Sequence, residues 1–285
     1  MYFILFLQKL AKFHASALAV KLKDPRLFDE LTESMKEIIY DDPSDMSVVK
    51  TSTDLWLKIH LKYLEIIEPR TQELQAIIDH MATYIDNTYD RFYRMFNGPK
   101  QKYYTICHGD PWANNLLFLH DNDARIIDMK MVDYQVNRHF SLVTDIHYLI
   151  YSSARSSLIE RSYESLIKIY HTEFLKELRR LQVDEKVLTE LGTKWLETEL
   201  QTYAFYGGII GCSFANPMLA EKEDVKQFES AIDLGPNSPL YSDDMIRKSA
   251  TPKKLDRVKR VTSHYYRRYI LGVINDDLEP ISITK

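Results

Sequence analysis

With 285 residues, 45% hydrophobic and 27% charged, the chain has room for one or two domains and can bury a substantial core without disulfides or metal. A formal charge of −4, from 37 basic against 41 acidic residues, excludes a general electropositive nucleic-acid binder, and two cysteines, Cys107 and Cys212, are too few for a disulfide framework and suit a reducing compartment. Only 8 glycines occur, the first at Gly98, which excludes a glycine-rich phosphate loop from residues 1–97.

The chain opens on an apolar run, Met1–Leu7, that lacks a basic flank and passes straight into the amphipathic QKLAKFHASALAVKL. It therefore predicts neither a signal peptide nor a membrane span, and a soluble, cytoplasmic protein is expected. Leu7, Leu10, Ala11, His14 and Leu18 share one helical face, with His14 as a core histidine. Trp56, Ile59, Tyr63 and Ile67 make a second stripe, and Leu74, Ile77, Ile78, Met81, Ile85, Phe92 and Phe96 a third, longer one. The cluster Asp41–Asp45 breaks the chain before the second stripe, and Gly98-Pro99 closes this helical section.

The period then changes. Tyr103–Cys107, Leu116–His120 and the short runs ARII and MKMV read as brief strands. After Asp133 helical patterning returns at Leu142–Ser153, along Tyr163, Leu166, Ile167, Tyr170, Phe174 and Leu181, and around Lys186–Tyr206, where Gly207-Gly208 is expected to stop it. Gly235–Pro252, with three prolines, reads as a loop, and Leu255–Val273 as a final helix. Its Lys253, Lys254, Arg257, Lys259, Arg260, Arg267 and Arg268 are expected on a solvated face, with Tyr265, Tyr266 and Tyr269 packed inward. No repeat or low-complexity tract is present. The expected fold class is α+β, mostly helical: a single domain over 1–285 with a strand-and-loop insert at about 103–135 and a helical region at about 140–275.

The insert carries the chemistry. His108, Asp110 and Asn115, in CHGDPWANNLLF, have the spacing H-x-D-x-x-x-x-N of a phosphotransfer loop. An aspartate is needed there to accept or orient the proton of an attacking hydroxyl. An amide oxygen five residues on can coordinate Mg2+ without adding a full negative charge beside the phosphates. Asp133 follows the apolar MKMV, where a second metal-holding carboxylate belongs. Asp128 competes with it, because IID also follows a strand; His108, Asp110, Asp128 and Asp133 together would suit a metal-dependent hydrolase, although the paired asparagines fit that poorly. The nine histidines show no H-E-x-x-H spacing, so no zinc site of that kind is expected.

HGDPWANNLLF followed by VDYQ resembles the aminoglycoside- and choline-kinase-like phosphotransferases. Within them it most resembles the ecdysteroid-kinase-like branch, with the CHK kinase-like domain, through Trp112, the pair Asn114-Asn115 and Gln135. LAKFHASAL resembles that family's helix after the interlobe hinge, and TDIHYLIYSS its helix after the metal aspartate. The resemblance implies a protein-kinase-like C-lobe, with Asp110 as catalytic base, Asn115 and Asp133 as metal ligands, and His108 and Asp145 supporting the loop. It favours Asp133 over Asp128. It also implies ATP and Mg2+ as cofactors and a small-molecule hydroxyl acceptor, an ecdysteroid or another lipophilic alcohol, with no nucleic-acid or membrane partner. The family's N-lobe, with its phosphate-covering loop and gripping lysine, is expected to be missing; Lys9, Lys12, Lys21 and Lys23 lie in or just after a helix, and no nucleotide-binding lysine is found. An impaired kinase, or a vestigial binding protein that self-associates through an exposed hinge-side surface, is the expected consequence.

Overall fold

The computed structural model describes residues 2–42, 48–214 and 242–274. Its helices are α1 (Tyr2–Lys23), α2 (Pro25–Thr32), α3 (Val48–Ile66), α4 (Gln72–Ala82), α5 (Thr88–Phe96), α6 (Val143–Ser153), α7 (Ser156–Arg180), α8 (Glu185–Glu190), α9 (Thr193–Thr202), α10 (Ala204–Phe214), α11 (Asp243–Ser249) and α12 (Pro252–Tyr265). Four short strands, β1 (Thr105–Cys107), β2 (Leu116–His120), β3 (Ile126–Met131) and β4 (Arg138–Phe140), lie between α5 and α6. The mostly helical α+β class read from the sequence is observed. The described residues fall into two compact units, one from Met1–Glu37 and Pro99–Phe205, the other from Ile38–Gly98 and Tyr206–Val273.

In the first unit α1 runs along α7 and over β1, burying Leu7, Leu10, Ala11, His14, Ala15 and Leu18, the face that its periodicity marks. By length and composition alone its Phe3–Lys23 stretch could cross a bilayer. Here those apolar residues are core, and the stretch carries a buried histidine with two side-chain partners. Asp24 caps α2 by accepting from the Leu27 N–H at 3.1 Å, with Pro25 at the first helical position. β1 pairs antiparallel with β4, Cys107 opposite Arg138, and β2 with β3, Leu119 opposite Asp128. α6 is buried from Val143 to Ser152, its polar Thr144, Asp145, His147 and Ser152 included.

The second unit assembles α3, α4, α5, α11 and α12 with α10 from Tyr206 onward. Thr71 caps α4 at the Leu74 N–H, 3.1 Å away. His60 bonds Thr262 at 2.7 Å, and the Tyr84 and Tyr265 hydroxyls meet at 2.9 Å.

Several expectations are corrected. The third apolar stripe is two helices, α4 and α5, separated by turns at 83–87. ARII and MKMV form one strand, β3, which places Asp128 in mid-strand instead of at a strand end. β4 has no counterpart in the sequence reading. The helix expected around Lys186–Tyr206 is broken at Leu191-Gly192, and α10 continues through Gly207-Gly208 instead of stopping there. Those glycines serve contact: a Cβ on Gly208 would lie 2.8 Å from the Tyr265 ring. The segment read as loop over 235–252 contains α11, capped by Ser242; residues 235–241 lie outside the described residues. Finally, the basic face of the last helix is not uniformly solvated. Lys254 and Arg268 are buried, and Arg267 pairs with Glu73.

Candidate functional site

β1 ends at Cys107 and delivers His108, Gly109 and Asp110 onto the end of the buried helix α6. Asp145, in the first turn of that helix, takes the His108 N–H at 2.6 Å on one oxygen and the Gly109 N–H at 3.0 Å on the other. His14 of α1 meets Asp145 at 3.0 Å through Nε2 and the Tyr170 hydroxyl at 2.5 Å through Nδ1. Three elements thus meet at one buried carboxylate, and Tyr170 of α7 joins them through His14. Burial, the largest influence, pushes the Asp145 carboxyl upward. The hydrogen bond and charge of His14, the field of His108 and the Gly109 amide outweigh it and hold the group below the usual carboxylate range.

Gly109 is required here. Its φ is +86°, and a Cβ would lie 2.0 Å from the Val136 carbonyl oxygen. His108 is buried. Its Nε2 faces the Val132 carbonyl at 3.0 Å and its Nδ1 accepts the Asp110 N–H at 3.3 Å, the pattern of the Nε2–H tautomer. It is a strut between the loop and the segment that carries Asp133.

Asp110 is half-buried, and both its oxygens are engaged. The Tyr148 hydroxyl donates to Oδ1, and the Asn115 amide nitrogen donates to Oδ2 and to the Asp110 carbonyl, both at 2.9 Å. With its nitrogen spent on Asp110, Asn115 keeps its amide oxygen for another partner. Its backbone is tied at both ends, N–H to the Trp112 carbonyl and carbonyl to the Val132 N–H, each at 3.0 Å. Burial raises the Asp110 pKa; the bonds from Tyr148 and Asn115 and the field of His108 oppose this, and the charge of Asp133 adds to it.

Asp133 follows β3 in the left-handed region, φ +67°, a conformation that aspartate tolerates better than most residues. Its carboxylate is exposed, and Gln135 reaches it at 3.4 Å. The next residue, Tyr134, packs on the His108 ring with centroids 4.5 Å apart. Asp128 instead pairs with Lys9 at 2.7 Å. Beside Asn115, strand β2 leaves Leu117 and Leu119 exposed.

His14, Cys107 and Asp145 have potential ligand atoms within 4.8 Å of one another. Their donors are already used: Cys107 donates to the carbonyls of Phe140 and Ser141 at 3.4 Å, and burial drives its thiol well above the ordinary range. The trio is a hydrogen-bonded core, not a ligand set. Of the candidate residues, the structure brings His108, Asp110, Asn115 and Asp145 together by hydrogen bonds at one loop, and Asp133 lies between Val132 and Tyr134, which both contact His108. The sequence reading missed Tyr148, which stands three residues after Asp145 on the same helical face, and did not connect His14 to Asp145.

The model of the ecdysteroid kinase-like family matches residues 2–183. No curated protein and no solved structure matches the chain.

Proposed function

The chain belongs to the ecdysteroid kinase-like family, and from that premise we propose that it is an ATP- and Mg2+-dependent phosphotransferase that acts on the hydroxyl of a small lipophilic alcohol of the ecdysteroid kind. Asp110 accepts or orients the acceptor's hydroxyl proton, and a carboxylate whose pKa is raised by burial suits that task. Asn115 and Asp133 hold the metal. Both offer hard oxygen ligands: the amide oxygen that Asn115 keeps, and the exposed carboxylate of Asp133. Magnesium, when bound there, neutralises charge on the transferring phosphoryl group. His108 and Asp145 keep the loop in shape.

The observation that carries this reading is the Asn115 bond to Asp110, which ties the residue proposed as base to a residue proposed as metal ligand. Among the described residues before Thr105, no lysine stands on a strand where it could grip the nucleotide phosphates. Lys9 and Lys12 pair with Asp128 and Glu173, while Lys21 and Lys23 bond main-chain carbonyls.

Calorimetric titration with Mg-ATP tests the proposal. Heat at sub-millimolar to millimolar nucleotide that disappears in Asp133→Asn, together with transfer of radiolabelled γ-phosphate to a hydroxylated sterol, is the expected result. Equal heats in the two proteins, or none in either, would overturn it.

A further inference from the structure

We infer that Tyr148 is a positioning residue for Asp110: its hydroxyl fixes the rotation of the Asp110 carboxylate and so determines which oxygen meets the acceptor. The inference rests on the phosphotransferase reading and extends it to a residue with no role there so far. α6 meets the 108–113 loop at three points. Asp145 holds the amides of His108 and Gly109, Tyr148 three residues later holds the Asp110 side chain, and Ser153 five residues further accepts the Ala113 N–H at 2.9 Å. Asp145 and Tyr148, three residues apart, share a helical face, and Ser153 ends the same helix, so one rigid element contacts the loop at its start, its reactive side chain and its far end. The helix cannot rotate or slide without disturbing all three contacts, because it is buried from Val143 to Ser152.

The two bonds on the carboxylate differ in kind. Asn115, on Oδ2, is itself expected to bind metal, so Oδ2 faces the nucleotide side. Oδ1 is then the oxygen left for an acceptor hydroxyl, and Tyr148 is bonded to that oxygen. A carboxylate oxygen can accept two hydrogen bonds, so an acceptor can join Tyr148 on Oδ1. Without the phenol, the Asp110 carboxylate has one anchor and can rotate about its terminal torsion, which is broad and nearly two-fold for aspartate. The reacting pair would then lose alignment while the metal side keeps its ligands.

Tyr148→Phe removes one oxygen and keeps the ring in the core. With a turnover assay, kcat should fall roughly 10- to 100-fold, the scale of a misaligned catalytic group, while KM for Mg-ATP stays within error and the melting temperature falls by no more than the loss of one hydrogen bond allows. An unchanged kcat, or a KM for Mg-ATP that rises in parallel, overturns the inference. A second readout needs no turnover. The wild-type minus Tyr148→Phe ultraviolet resonance Raman difference isolates the phenol doublet of Tyr148, which should be that of a strong donor. The same difference taken in the Asp110→Asn background should move toward a weak donor; a doublet indifferent to Asp110→Asn overturns the inference. If the wild type phosphorylates no alcohol, the proposed function fails, and the Raman result alone decides the role of Tyr148.

Discussion

Replacing Asp145 tests how the loop is built. Asp145→Ala removes the acceptor of two buried backbone amides, those of His108 and Gly109, and the partner of the buried His14 imidazole. Each buried donor left unsatisfied costs about 1–3 kcal/mol, so the two amides account for about 2–6 kcal/mol before His14 is considered. A loss near 4 kcal/mol is a large fraction of the 5–15 kcal/mol typical of a folded domain. Urea unfolding followed by tryptophan fluorescence should show a much lower midpoint, and native-state hydrogen exchange should show the His108 and Gly109 amides unprotected. The pH dependence has a defined sign. The Asp145 carboxyl titrates below the usual carboxylate range in the folded protein, so its contribution is complete above the unfolded pKa near 3.9 and is lost as pH falls through the lower folded value. The gap between wild type and Asp145→Ala should therefore be full at pH 7 and shrink in acid below about pH 4. A variant within 1 kcal/mol of wild type at pH 7 (about a fivefold change in the unfolding constant) with both amides still protected would refute this account of the loop.

Two further outcomes follow from geometry elsewhere in the same unit. Gly109→Ala must place a methyl against the Val136 carbonyl at φ +86°, which should cost at least about 2 kcal/mol and lower the melting temperature by roughly 4–8 °C; a calorimetric melt unchanged within 1 °C would contradict it. Lys21 is half-buried, with its amine bonded to the carbonyls of Gln101 and Tyr104 and to His139 Nε2 at 3.2 Å, and burial lowers its pKa to about 8. About one-tenth of it is then neutral at pH 7, against well under one-thousandth of an ordinary lysine, so amine-directed labelling read by mass spectrometry should saturate at Lys21 with a midpoint near pH 8. Labelling of Lys21 no faster than of the exposed Lys58 at pH 7.5 would count against the burial argument.

What could be read in advance depended on where the determining physics lies. The apolar stripe of α1 is a local 3.6-residue pattern, and it is the buried face. The spacing of His108, Asp110 and Asn115 is set by the reach of a single loop, so it too is visible without coordinates. β4 is different: Arg-His-Phe has no alternation that would mark a strand, and it forms because β1 lies opposite it. β3 was split because Asp128 interrupts an apolar run, yet on the solvent side of a two-stranded ribbon a carboxylate paired with Lys9 costs little. Gly207-Gly208 looked like a stop because glycine is a poor helix former. The closeness of the Tyr265 ring to Gly208 depends on a helix fifty residues away in the chain.

Tyr148 shows a middle case, in which sequence contains the relation but does not reveal its use. Once Asp145 is known to face the loop, the residue three positions on faces it as well, and helical geometry alone brings Tyr148 beside whatever follows Gly109. That this residue is Asp110, and that the phenol reaches its side chain, depends on Gly109 turning the chain through positive φ so that Asp110 doubles back toward α6. The glycine, the anchoring carboxylate and the phenol therefore act together: the first sets the path of the loop, the second holds its amides and the third orients its carboxylate. A change at any one should move Asp110. Only the change at Tyr148 should do so while leaving the backbone bonds of the loop intact, which makes it the substitution that separates the chemistry of this site from its stability.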